Sequence, residues 1–196
     1  MMSQRIWLIT GVSTGFGREL TQQLLVKGDR VVGTVRNLAS VQPLMGQWPE
    51  TFHPEILDVT DTDAIAGVVE RTFTQFGRID VAISNAGYGL FGAAEELSDR
   101  QIEQMIATNL LGSIQFIRRV IPIMRQQGGG RIIQISSYGG QVAFPGNSLY
   151  HATKWGIEGF VESSRRKSLP LALACRWLNP AAHAPSSVTA AHRSPH

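Results

Sequence analysis

At 196 residues, with 43% hydrophobic and 17% charged side chains, the chain matches one globular domain large enough to bury a sizeable core. Its formal charge of +3 and pI near 9.4 come from basic residues that are scattered until Arg165-Arg166-Lys167, with no aromatic residues interleaved, which argues against a nucleic-acid partner. A single cysteine, Cys175, excludes an internal disulfide and a thiolate metal cluster, and no apolar run has membrane-spanning length or signal-peptide form, so a soluble, cytoplasmic protein with no membrane partner is expected.

Ile6-Trp7-Leu8-Ile9 is a short apolar run leading directly into Thr10-Gly11-Val12-Ser13-Thr14-Gly15-Phe16-Gly17. Leu20, Leu24 and Leu25 then recur at helical spacing until Gly28. The order is strand, glycine turn, helix. Glycines let the backbone turn tightly and approach a pyrophosphate, which rests on the amide donors and positive dipole end of the helix N-terminus. A cofactor-binding turn over Gly11, Ser13, Thr14, Gly15, Phe16 and Gly17 is therefore expected, with an ordinary turn as the competing reading.

The spacing T-G-x-x-x-G-x-G resembles the short-chain dehydrogenase/reductase superfamily, a Rossmann-fold group that moves a hydride between NAD(P) and an alcohol or carbonyl. The resemblance implies an α/β fold: a doubly wound parallel sheet in three layers, α/β/α. It spans roughly residues 5 to 163 and assigns residues 1–163 to one NAD(P)-binding and catalytic domain.

Arg30 to Val35 is the expected second strand, followed by Arg36-Asn37. An acidic residue at this strand end holds the adenosine ribose hydroxyls, whereas a basic one accommodates the 2'-phosphate. Arg36 stands where the carboxylate is absent, and a guanidinium can fork onto phosphate oxygens, so NADP(H) is preferred, with NAD(H) possible. Leu38 to Pro49, with two prolines, is expected as loop or short helix.

A third strand is expected over Thr51 to Val59. The resemblance places Asp58 and Val59 beside the adenine ring; a helix N-cap at Asp58 or Asp61 competes. Ile65, Val68, Val69, Phe73 and Phe76 form the stripe of the next helix, which Gly77 ends. Ile79 to Ile83 is the fourth strand and leads into Ser84-Asn85-Ala86-Gly87, where the family carries N-N-A-G. Asn85, Ala86 and Gly87 would line the cofactor and brace the central strand.

Ser98 is the expected cap of a helix from about Asp99 to Gln126. Asn109 sits inside it, an unfavourable place that predicts a polar partner. In the family the matching asparagine holds a water that passes protons to the active-site lysine. Arg131 to Ile135 is the fifth strand, with Ser136-Ser137 at its C-terminal end, where ligands sit in open α/β sheets. Ser137 precedes Tyr150 by thirteen residues and matches the family's catalytic serine; Ser136 does not.

Tyr150 and Lys154 are four residues apart, on one face of a helix. A neighbouring cation favours the phenolate, and the pair matches the family's Tyr-x-x-x-Lys. Asn109, Ser137, Tyr150 and Lys154 are thus the expected catalytic residues: Ser137 holds the substrate oxygen and Tyr150 exchanges its proton. Lys154 holds the nicotinamide ribose and, through Asn109, connects to solvent. The implied substrate is a small alcohol or ketone. Phe91, Gln141, Val142, Phe144 and Leu149 are candidate borders of an apolar pocket. A homo-oligomer, dimer or tetramer, is expected by analogy, through the helices of Asn109 and Tyr150.

The resemblance breaks at Ser164. Relatives continue with a strand ending in a Pro-Gly turn; here Ser164 to Pro170 and an Ala/Pro/His-rich stretch follow, with no strand period. The expectation is an aberrant tail over residues 164–196 and a sheet without its C-terminal strands. A one-base frame shift after residue 163 is the expected origin, because a suitable back-translation of Ser164 to His196 then yields the strand-like GVPLVEPGG; a genuine short variant is the competing reading. Two functional expectations follow: an NADP(H)-dependent oxidoreductase, or an inactive remnant that at most binds nucleotide or a partner subunit.

Overall fold

The computed structural model describes residues 4–164 and the backbone of residues 171–176. Five strands, β1 (Ile6–Thr10), β2 (Arg30–Val35), β3 (Phe52–Ile56), β4 (Val81–Ser84) and β5 (Gly130–Ile135), lie in a sheet with a sixth, β6 (Leu171–Arg176). The order is β3-β2-β1-β4-β5-β6, and every neighbouring pair is parallel. Helices α1 (Gly15–Val26), α2 (Gln42–Gln47), α3 (Thr62–Phe76), α4 (Asp99–Met105), α5 (Ser113–Gln126) and α6 (Ser148–Ser164) cover its two faces. This is the expected doubly wound α/β/α architecture.

Alternation along the central strands builds a core on each face. Leu8, Val32, Ala82 and Ile132 face one way and pack with α3, α5 and α6 through residues such as Ile65 and Phe116. Their neighbours Ile9, Val31, Val81 and Ile83 face the other and pack with Leu24 and Leu44 of α1 and α2. At roughly 1.5–3 kcal/mol per fully buried large apolar side chain, these two clusters are the main favourable contribution to folding.

Several boundaries follow local chemistry. Gly77 ends α3 in the left-handed conformation at φ 71°, as a C-cap requires. Ser98 caps α4 by accepting from the Gln101 N–H, while Gln101 returns a bond to the Ser98 N–H. Asp61, not Asp58, caps α3 by accepting from Asp63 and Ala64 N–H. The Leu38 to Pro49 stretch forms a 3₁₀ turn (Leu38–Val41) and α2. The expected third strand stops at Ile56, three residues early.

The expected long helix from Asp99 to Gln126 is continuous but not uniform. Ile106–Gly112 is a π-helical segment between α4 and α5. An inserted residue of this kind redirects backbone carbonyls and often marks a functional site.

One expectation is overturned. Residues 171–176, read as strandless tail, form β6, in register with β5 from Gly130↔Leu171 to Ile135↔Arg176. Leu171-Ala172-Leu173-Ala174-Cys175 is apolar throughout, without the alternation that marks a strand in sequence. The sheet therefore has one C-terminal strand that the sequence reading denied it. The remaining tail expectations fall on residues 165–170 and 177–196, outside the described residues.

Candidate active site

The strand order reverses between β1 and β4, and the crevice beyond their C-terminal ends is where doubly wound sheets hold ligands. The glycine turn lies on one side. Gly11 (φ 73°) and Gly15 (φ 57°) adopt left-handed conformations. A Cβ on Gly17 would collide with Gly11 O and come within 2.5 Å of Asn85 Nδ2. The turn is thus packed too closely for a side chain, and Thr14, Gly15 and Phe16 are exposed at its tip. No side chain caps the α1 N-terminus. An uncapped helix start with its backbone exposed fits a pyrophosphate.

Asn85 and Ala86 brace this turn from β4. Asn85 Nδ2 donates to Thr10 O (2.9 Å) and Gly11 O (2.8 Å), and the backbone N–H groups of Asn85 and Ala86 both donate to Thr10 Oγ1, at 2.9 and 3.0 Å. Thr10 is therefore a link that the sequence reading did not single out. It could have been found only as the hydroxyl immediately before the first glycine.

Asn109, 1% exposed, has the polar partner its helix-interior position demanded. Its Oδ1 accepts from Tyr88 N–H (3.0 Å) and its Nδ2 donates to Tyr88 O (2.7 Å). Gly87 lies against it: a Cβ there would be 3.1 Å from Asn109 Oδ1. The π segment and the loop after β4 are locked together at this point.

On the other side, β5 ends at Ile135 and Ser137 begins a 3₁₀ turn (Tyr138–Gly140), its Oγ accepting from Gly139 N–H at 3.2 Å. This turn packs on α6. A Cβ on Gly139 would be 2.9 Å from His151 Nε2 and 3.5 Å from Tyr150 Cε1. Lys154, 8% exposed, donates from Nζ to Ile135 O at 3.0 Å, with Nζ 5.7 Å from the Tyr150 ring centroid. Ser137, Tyr150 and Lys154 are thus brought together by β5 and α6.

Phe91 meets the Tyr150 ring edge to face at 6.0 Å, and Tyr138 and Phe144 pair at 5.8 Å. Phe91, Tyr138 and Phe144 are each about half exposed, whereas Leu149 is buried. Gln141 is occupied by a hydrogen bond to Glu158. Glu158 also accepts from the Ser136 hydroxyl. The sequence reading missed Glu158, although its spacing from Lys154 repeats that of Lys154 from Tyr150.

Arg36 is exposed just beyond β2, and Asp58 is exposed beyond β3. Asp58 Oδ1 accepts from the Thr60 N–H (2.9 Å) and hydroxyl (2.8 Å); these bonds, aided by Arg36, hold its carboxyl below the usual range. Val59 is buried in the core, its carbonyl against Gly112 of the π segment. A separate groove of about 540 Å³ between α3 and α5, lined by Val69, Phe73, Pro122 and Ile123 among others, shares no residue with this cluster.

The family model described as short chain dehydrogenase matches residues 5–194. Oxidoreductase BOA17 of Botryotinia fuckeliana is 38% identical over 157 residues, 80% of this chain and 57% of that protein. The 3-ketodihydrosphingosine reductase of Bacteroides thetaiotaomicron is 36% identical over 166 residues, 83% of this chain and 58% of that protein. The chain thus spans little more than half the length of these two relatives. A metagenomic short-chain oxidoreductase solved in complex with NADP superposes with a TM-score of 0.83 at 26% identity, over 89% of this chain and 82% of that one.

Proposed function

The chain belongs to the short-chain dehydrogenase family, and from that premise we propose that it is an oxidoreductase interconverting an alcohol and a ketone with NADP(H). The observation that carries this reading is the convergence of Ser137, Tyr150 and Lys154 beside the β1/β4 crevice, with the glycine turn across from them. When bound, the nicotinamide supplies or accepts the hydride. Every other task falls to residues of this protein.

Gly11, Gly15 and Gly17 with Ser13, Thr14 and Phe16 would hold the pyrophosphate, Asn85, Ala86 and Gly87 the inner wall, and Asp58 and Val59 the adenine end. Arg36, with no carboxylate at the β2 end, favours the 2'-phosphate. NADP bound in the structural neighbour supports the same preference.

In reduction, the Ser137 hydroxyl donates to the substrate oxygen and Tyr150 delivers the proton to it; oxidation reverses both steps. The ammonium of Lys154 stabilises the negative charge that develops on the phenol oxygen. Asn109, fixed on Tyr88, stands at the π segment where a water can relay a proton between Lys154 and solvent. The half-exposed rings of Phe91, against Tyr150, and of Phe144, against His151 and Tyr138, favour an apolar ketone. Leu111 and Trp155, about half exposed on the π segment and α6, offer apolar surface to a second copy of the chain.

The test is to mix the full chain with NADPH and a panel of apolar ketones and follow cofactor absorbance. Turnover supports the oxidoreductase. NADPH binding without turnover supports the alternative of a nucleotide-binding remnant.

A further inference from the structure

Glu158 stands four residues after Lys154 on α6, so Tyr150, Lys154 and Glu158 succeed one another along one helix face. Its two carboxyl oxygens both serve another element. Oε1 accepts from the Ser136 hydroxyl and Oε2 from the Gln141 side-chain amide. Ser136 and Gln141 flank the turn that starts at Ser137.

Gly140 gives this arrangement a second, independent mark. A Cβ on Gly140 would collide with Glu158 Oε1 and come within 3.0 Å of Ser136 Oγ. The backbone at Gly140 therefore runs directly against the carboxyl group, and only glycine leaves it room to reach both donors. One turn earlier, Lys154 Nζ donates to Ile135 O at 3.0 Å. Helix α6 thus grips the chain on both sides of Ser137: at Ile135 and Ser136 before it, and at Gln141 after it.

The need for such a grip follows from local structure. Beyond Ile135 the ladder of β5 ends, and only one 3₁₀ turn separates it from the irregular stretch up to α6. Among the described residues, the strand pairing of β5 ends before Ser137 and does not orient it. Successive residues of an extended chain point to opposite sides, so holding Ser136 toward Glu158 turns Ser137 the other way.

We propose that Glu158 is a positioning residue: by holding Ser136 and Gln141 it fixes the orientation of the Ser137 hydroxyl toward the substrate oxygen. The inference rests on the oxidoreductase reading of the same site. It also gives the non-catalytic serine of the Ser136-Ser137 pair a task.

The test is a double-mutant cycle on the full chain, using NADPH with 1-tetralone, decan-2-one and cyclohexanone, and NADPH affinity by fluorescence. Glu158→Ala is expected to lower kcat about 10- to 100-fold, the scale of a misplaced catalytic group, with NADPH affinity held within about twofold. Glu158→Gln is expected to restore most of it, since the amide oxygen accepts from Ser136 and the amide nitrogen can donate to a flipped Gln141. Added to Ser137→Ala, Glu158→Ala should cost less than about twofold, because the group it positions is gone.

An unimpaired Glu158→Ala, or an equal loss in both backgrounds, overturns the positioning role. Should Glu158→Ala not fold, Ser136→Ala, which deletes a single hydroxyl, is carried through the same cycle with the same criteria. If the wild-type chain oxidises NADPH with none of the three ketones, the oxidoreductase reading fails and this inference with it. A wild type that turns over while the cycle fails removes the positioning role alone.

Discussion

The side chain of Asn109 pairs with the backbone of Tyr88 in both directions, donating to its carbonyl at 2.7 Å and accepting from its N–H at 3.0 Å. A buried amide in a π-helical segment thereby substitutes for a strand neighbour, and the loop after β4 is held as though it were still in the sheet.

Asn109→Ala deprives both Tyr88 backbone groups of their partner. Loss of the two hydrogen bonds, each contributing about 0.5–1.5 kcal/mol, should lower the unfolding free energy measured in urea by about 1–3 kcal/mol. The Tyr88 amide should also exchange faster with solvent, whereas a variant with unchanged Tyr88 protection would show that the pair contributes nothing.

Tyr150→Phe keeps the ring that packs on Phe91 and removes only the hydroxyl. Turnover should vanish while NADPH affinity stays within about twofold of wild type, since general acid–base catalysis typically supplies 10²–10⁴-fold. Retained turnover in a steady-state assay would remove Tyr150 from the proton-transfer role.

Arg36→Ala should weaken NADPH selectively. A charge-assisted hydrogen bond contributes about 1.5–3 kcal/mol, equivalent to roughly 10- to 100-fold in affinity. NADH affinity should stay constant or improve. Titration of both cofactors by fluorescence decides the matter, and equal losses for the two would assign Arg36 no role at the 2'-phosphate.

Asp58 carries a pH-dependent contribution. Its carboxyl is held below its ordinary value of 3.8, chiefly by the Thr60 N–H and hydroxyl and further by Arg36. A depressed carboxyl stabilises the fold above the unfolded-state value, and that contribution disappears as pH falls through the folded-state value. Because the group is exposed, Thr60→Val should cost at most about 1 kcal/mol near neutrality. The difference from wild type should close as pH drops below 3.8, read from chemical denaturation at several pH values.

Gly17→Ala sets a methyl group against Gly11 O and Asn85 Nδ2. Overpacking at such a site costs roughly 1–3 kcal/mol, and the turn must shift to relieve it. NADPH binding should fall sharply. Calorimetry showing wild-type affinity would mean that the turn tolerates the shift and that its close packing is not needed for the nucleotide.

Much of this protein was legible because the relevant forces act over short stretches of chain. The glycine turn after β1, the left-handed cap at Gly77, the Ser98 cap and the two-sided apolar alternation of β1 and β4 depend on residues within a turn or a strand of one another. The Tyr150 and Lys154 spacing is of the same kind, and Asn109 could be marked as needing a partner from its helix-interior position alone. What that partner was, the Tyr88 backbone, depended on where the loop after β4 came to rest.

Tertiary structure decided the rest, through hydrogen bonds between segments far apart in the chain. Leu171–Arg176 has no alternating pattern, and it is a strand because the free edge of β5 offers it a row of backbone donors and acceptors. Asp61 rather than Asp58 caps α3 because α3 begins at Thr62, after β3 stops at Ile56. Glu158 follows the helix spacing, yet its meaning lies in Ser136, Gly140 and Gln141, which only the packing of α6 on the end of β5 brings to it.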